Sequence, residues 1–183
     1  RGRKALDDQE LEKAADFAKS AKQADPASAG PWVLEGDVAL ATADLSRALV
    51  AFQRAREVDP TSVEAVRALA DCRRRRGGAY FAWKIGHPRP KARGDEPPDP
   101  KAVEEWDRLN ALALAQAIKE FEASLRLEPD GPDADAARER IEQLRRQDPA
   151  HRRQSLETAQ RAFEAGETER RAEHFVAASA KYR

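Results

Sequence analysis

The residues of this chain with chemistry beyond packing are three histidines, one cysteine and several runs of charge. His87, His151 and His174 lie far apart, and none has a second His, a Cys or an acidic residue at the spacing of a metal-ligand pair. Metal binding is not expected. Nor does the sequence hold a glycine-rich phosphate loop, a nucleophile elbow or an HExxH helix. Cys72 falls in a helical stretch beside Leu69 and Ala70. It reads as a small, semi-buried thiol, because no base stands near enough in sequence to make it a nucleophile. Acidic pairs such as Glu104-Glu105 and Asp133-Asp135 are the kind that decorate solvated helices. No catalytic site and no cofactor is expected, and the chain reads as non-enzymatic.

Arg73-Arg74-Arg75-Arg76 is the sharpest charge feature. It closes a helical stretch, where cations complement the negative end of the helix dipole. Four in a row exceed that requirement, and helical geometry sends them to several faces, so a patch for an acidic or phosphorylated peptide is a second reading. The chain as a whole carries no such bias. Lys+Arg and Asp+Glu stand at 33 each, which leaves no global field to draw nucleic acid or an anionic membrane. No run of 18 apolar residues and no basic-then-apolar leader occurs, so this segment is not expected to insert into a membrane. It begins at Arg1 and holds no Met, which suggests a processed chain or a piece of a longer polypeptide. A single cysteine rules out an internal disulfide and leaves redox chemistry silent on compartment; a cytoplasmic location is favoured over a periplasmic one. An Ala- and Arg-rich, Lys-poor composition is associated with bacterial, GC-rich sources.

Whatever these residues do, a repeating helical frame has to position them. Ala48, Phe52, Ala55 and Pro60 are spaced 4, 3 and 5 residues apart, and Ala14, Ala18, Ala21 and Pro26 repeat the pattern 34 residues upstream. Spacings of four and three put the first three residues on one helical stripe, where Ala admits a close neighbour. The proline then stops the helix. Ala117, Phe121, Ser124 and Pro129 give the spacing again, and so do Ala137, Ile141, Leu144 and Pro149, with a weaker echo at Phe175 and Ala178. Pro31-Trp32-Val33-Leu34-Glu35-Gly36 opens the best-kept unit: Pro31 suits a first helical turn and Gly36 a close helix crossing.

On these residues the chain resembles the tetratricopeptide repeat family. Trp32, Gly36, Ala48, Phe52, Ala55 and Pro60 match its 34-residue pattern, although Glu35 stands where Leu is usual and Ala39 where Tyr is usual. The resemblance covers most of the chain and is strongest over residues 29–62. It implies an all-α fold: an α-α superhelix, or solenoid, of antiparallel helix pairs whose concave groove binds peptides or proteins. The expected division is one array over residues 1–183. It has a partial repeat at 1–28, the best at 29–62, a degenerate one with a loop at 63–97, another at 98–131 and looser repeats over 132–183.

The irregular part begins after Pro60. Thr61 or Ser62 can cap a helix from Val63 to Arg76, Gly77-Gly78 is expected to turn the chain, and a short second helix ends by Gly86. Residues 86–100, GHPRPKARGDEPPDP, then form a proline-rich loop, either a spacer or a recognition arm. Tyr80, Phe81 and Trp83 just before it read as a local core in preference to a contact surface. Asp99-Pro100 is a plausible cap and first-turn pair for the next helical stretch. Residues 101–128 could be one long helix or two that break near Asn110, and the pattern alone leaves both open. A turn at 130–133 and a helix over 133–147 come next, then another helix from Asp148-Pro149, separated from a last one by Gly166-Glu167-Thr168.

In the family the first helix of each pair lines the groove. Carried onto this register, the groove residues are Val33, Asp37, Leu40, Arg67, Asp71, Arg74 and Trp106. The carboxylate-gripping Lys/Asn/Arg clamp of some members is missing at the matching positions, which disfavours chaperone-tail binding. The expected function is a protein-protein interaction scaffold that holds a peptide or protein partner in this groove. The alternative is a structural or assembly component of a larger complex, of envelope or motility type, formed by self-association or stacking of repeats.

Overall fold

The computed structural model describes residues 2–7, 10–92, 94 and 96–148, so the expected copies at Pro149, Phe175 and Ala178, the turn at Gly166, and His151 and His174 lie outside the described residues. Seven helices occur among those described: α1 (Gly2–Asp7), α2 (Leu11–Ala24), α3 (Gly30–Ala41), α4 (Leu45–Val58), α5 (Val63–Gly86), α6 (Pro100–Leu127) and α7 (Ala134–Gln147). The chain divides into two units, residues 1–142 and 143–183. The first holds α1 to α6, the start of α7 and every side chain discussed below.

Helix ends fall where local chemistry puts them. Pro31 sits in the first turn of α3, where its missing N–H has no partner to lose. Asp44, Ser62 and Asp99 cap α4, α5 and α6, accepting from the backbone N–H groups of Arg47, Ala65 and Lys101. Ala43 closes the α3–α4 turn in the left-handed region, with φ of 58, which costs alanine about 1 kcal/mol relative to glycine.

From α1 to α6 each helix packs on the next in sequence, and α1, α3 and α5 also touch one another in a row. Among the described residues the fold is therefore an all-α, solenoid-like stack of helix pairs, with α1, α3 and α5 as one layer. Small residues let the backbones approach. Ala14, Ala18, Ala48, Ala51, Ala55, Ala65 and Ala70 are all at most 2% exposed, and Phe52 and Leu69 fill the spaces between them. Gly36 takes the ring of Phe52 against its bare Cα, and an added Cβ there would lie 2.6 Å from Phe52 Cδ1.

In the irregular region one expectation is corrected and one open alternative is settled. Gly77-Gly78 does not turn the chain, since α5 runs unbroken for 24 residues from Val63 to Gly86. Likewise 101–128 is one helix, the 28-residue α6. The stretches 63–97 and 98–131 therefore contribute one long helix each to a single hairpin. The reason lies in side-chain packing. An added Cβ at Gly77 would meet Phe121 Cδ2 at 2.8 Å, so this glycine lets α6 approach α5 closely and leaves the helix intact. Ser124 Oγ donates to the Ala70 carbonyl at 3.0 Å, and Tyr80 Oη donates to Asn110 Oδ1 at 3.0 Å, so the hairpin is zipped along its length.

At the far end of the hairpin Tyr80 is 4% exposed and stacks on Trp83 at 6.2 Å, and Trp83 stacks in turn on His87 and Trp106 at 5.2 and 6.3 Å. Of this aromatic row Tyr80 is buried, Trp83 and Trp106 are half-buried and His87 is exposed. Trp106 Nε1 donates to the His87 carbonyl at 2.6 Å, and Arg89 pairs with Asp107, which ties the start of the proline-rich connection to α6.

These contacts distinguish three glycines. Gly36→Ala and Gly77→Ala are expected to destabilise the fold by about 1–3 kcal/mol through overpacking against Phe52 and Phe121. An added Cβ at Gly78 meets nothing within 4 Å, so Gly78→Ala should stabilise by roughly 0.5–1 kcal/mol through helix propensity. Urea denaturation of the three variants checks the opposite signs.

Candidate functional site

A charged strip crosses the layer of odd-numbered helices. Glu64, Arg67, Asp71 and Arg74 succeed one another at spacings of 3, 4 and 3 along α5, which places them on one stripe. Arg3, Asp37 and Asp71 are each 34 residues apart, so α1, α3 and α5 contribute the same repeat position to the strip. Arg3 pairs with Glu64 and reaches Asp37 at 3.9 Å. Arg74 meets Asp71, Glu128 and Asp133 at 3.3, 3.8 and 2.8 Å, while Arg67 reaches Glu128 at 3.5 Å.

The strip runs between two clefts. One, of about 320 Å³, is lined by Phe17, Ala21, Pro31 and Leu34, with the Arg3–Glu64 pair at its edge and Gly2 on its wall. The other, of about 470 Å³, lies between Arg67, Ala68, Asp71, Arg74, Glu128 and Pro132.

Of the expected groove residues, the structure brings four together: Asp37, Arg67, Asp71 and Arg74. Val33 is only 2% exposed and belongs to the hydrophobic core with Phe52 and Leu69, so it presents nothing to a partner. Leu40 packs partly buried against the same core. Trp106 lies elsewhere, because 22 residues of continuous α6 separate it from Glu128, about 33 Å along the axis. The unbroken α5–α6 hairpin shifts the repeat register, and Asp133 stands where the next unit meets Arg74. Sequence reasoning missed Arg3, Glu64, Glu128 and Asp133. The signal for Arg3 was present in its 34-residue distance from Asp37; Glu128 and Asp133 become visible only once α6 is known to be one helix.

The four-arginine run does not form a basic patch. Arg73 and Arg76 both turn to Glu120, at 2.9 and 3.4 Å, and Arg75 pairs with Asp71 at 2.7 Å. With Arg74 committed as above, all four guanidiniums are neutralised by carboxylates. The reading of an anion-binding patch is set aside on that ground. Glu120 itself is 3% exposed and accepts from Gln116 as well, so it is a compensated buried charge that fixes α5 against α6.

Electrostatics single out Asp37. Burial raises its pKa above the ordinary carboxylate value, Arg3 at 3.9 Å offsets this in part, and the neighbouring Asp71 charge raises it further. Glu35 shows the contrast: burial raises its pKa too, but hydrogen bonds from Lys22 at 2.5 Å and Arg47 at 3.2 Å bring it below the ordinary value. Cys72 is fully buried with Sγ 3.7 Å from the Leu45 carbonyl, and burial pushes its thiol up to about 11, so it stays protonated and inert. Among the described residues no group of three or more His, Cys, Asp or Glu is placed to hold a metal ion. No helix among them is long and apolar enough to cross a membrane.

No family model matches the chain, and no curated protein matches it. Among solved structures it is similar to the TPR domain of Arabidopsis OM64, with 18% identity, a TM-score of 0.47, and coverage of 78% of this chain and 89% of that one.

The strip yields two expected outcomes. Arg74 is 18% exposed and holds three carboxylates, so Arg74→Ala should cost about 1–3 kcal/mol of stability, whereas Arg67→Ala, 71% exposed, should stay within about 0.5 kcal/mol by urea titration. Asp37 has a raised pKa, so its favourable contribution is full below the ordinary carboxylate value and is lost as pH climbs through the raised one. Replacing Asp37 with Asn should remove that fall from a plot of urea midpoint against pH; an unchanged profile would assign it to another group.

Proposed function

We propose that this chain is a non-enzymatic interaction scaffold that holds a peptide or protein partner along the face shared by α1, α3 and α5. One observation carries the reading. The strip gathers exposed charges from α1, α3 and α5 and has a cleft at either end, one walled by α1, α2 and α3 and the other by α5 and the segment after α6. Its ion pairs are exposed at Arg3, Glu64 and Arg67, so a partner can exchange them for its own at small cost. The rigid, Ala-packed helix rows beneath hold the clefts at fixed spacing, which limits the entropy lost on binding.

A second reading, assembly through self-association, is favoured by Leu109 and Leu112. These lie one turn apart on α6 and are 39% and 58% exposed. A single experiment separates the two readings. A photoreactive side chain at Arg67 should capture a heterologous partner in cells that make the protein, while one at Lys13, on the exposed face of α2, should not. Capture of a second copy of the chain from Leu112, with none from Arg67, would replace the scaffold reading by assembly.

A further inference from the structure

We infer that the partner presents an extended segment with an apolar side chain for the Phe17–Leu34 cleft and, two residues along, a lysine or arginine for Asp37. The inference rests on the groove reading above and adds the chemistry of the occupant.

The cleft supplies the first anchor. Phe17 is 39% exposed, an unusual exposure for an aromatic in a chain that is only 6% aromatic, and Ala21, Pro31 and Leu34 complete an apolar wall around it. Gly2 brings α1 so close to Leu34 that no larger residue fits there, which keeps the wall in place. A cleft of about 320 Å³ suits a single aliphatic or aromatic side chain.

Charge complementarity supplies the second. The strip holds five carboxylates, Asp37, Glu64, Asp71, Glu128 and Asp133, and three of the four guanidiniums that face them are gathered at the Asp71 end. At the cleft end Arg3 stands alone between two acids, bound directly to Glu64 and reaching Asp37 only at 3.9 Å. Asp37 is thus a partly buried carboxylate whose counter-charge is engaged elsewhere. An added cation gains a hydrogen-bonded partner there, and an added anion meets Asp37, Glu64 and Asp71 together.

Backbone geometry sets the spacing. Leu34 and Asp37 are three residues apart on α3, a rise of about 4.5 Å. In an extended segment the side chains that share a face are two residues apart, roughly 6.6 Å, which matches once the longer reach of Lys or Arg is included.

The test selects a phage-displayed library of random linear peptides against the whole chain. A selected peptide is then measured by fluorescence anisotropy against the parent, Asp37→Asn and Phe17→Ala proteins, each checked for helix content. Enriched sequences are expected to pair an apolar residue with Lys or Arg two places away, and each substitution should weaken binding roughly tenfold or more. Enrichment of acidic peptides, or of peptides without the pair, whose binding still falls with Phe17→Ala would overturn this inference and leave the groove reading standing. Peptides indifferent to both substitutions, or no enrichment at all, would overturn the inference and the groove reading together.

Discussion

Close approach of helix backbones is the constraint on which this structure depends. Alanines at most 2% exposed, with Gly36 and Gly77 at close crossings, set the distance between neighbouring rows. A helix pair with larger side chains at those positions would stand further apart, and Phe52 and Phe121 would then leave voids where they now fill the space between rows. Alanine contributes little apolar area of its own, so much of the packing energy at these crossings is dispersion between closely placed backbones and one aromatic ring per row. That energy falls steeply with separation. The row spacing therefore admits little drift, and the surface residues it carries keep their positions.

The long α5–α6 hairpin needs a second device, because alanine packing alone leaves two helices free to slide by a turn. Glu120 supplies it. A buried carboxylate must meet its partners in one geometry, and Arg73 and Arg76, one turn apart, fit around it only when α5 and α6 are in this register. The Ser124–Ala70 and Tyr80–Asn110 hydrogen bonds hold the same register at other heights. The charge-rich run that looked like a binding patch is thus divided between two structural tasks, with Arg73 and Arg76 inside the hairpin and Arg74 and Arg75 on the strip.

Much of the fold was legible because its signals are local. The Ala-x-x-x-Phe-x-x-Ala cadence ending in Pro60 is written within one helix, and Asp44, Ser62 and Asp99 each cap through a neighbour two or three residues away. The hairpin was not legible for the opposite reason. Whether Gly77-Gly78 bends or continues depends on Phe121, which lies 44 residues downstream, and no local propensity records that contact. The same displacement puts Trp106 on the strip in the 34-residue register and off it in the structure. Asp37, Arg67, Asp71 and Arg74 fall together on the strip because they precede the break in register. Val33 was misplaced for a simpler cause, since a groove-lining helix must also pack inward and periodicity does not say which of two adjacent stripes faces the core.

In the scaffold proposed above, stability and recognition are carried by different physics. The rows are held by contacts that water never reaches, whereas most pairs of the strip are partly exposed and individually worth about 0–1 kcal/mol. A partner that displaces Arg3 from Glu64, or adds a cation beside Asp37, therefore disturbs little of what keeps the helices together. The incomplete neutralisation of Asp37 is tolerable for the same reason: its cost is small against the packing beneath it, and it is the part of that cost which a partner of opposite charge can return on binding. A fully neutralised strip would be more stable and would discriminate less, because every incoming charge would first have to break a satisfied pair.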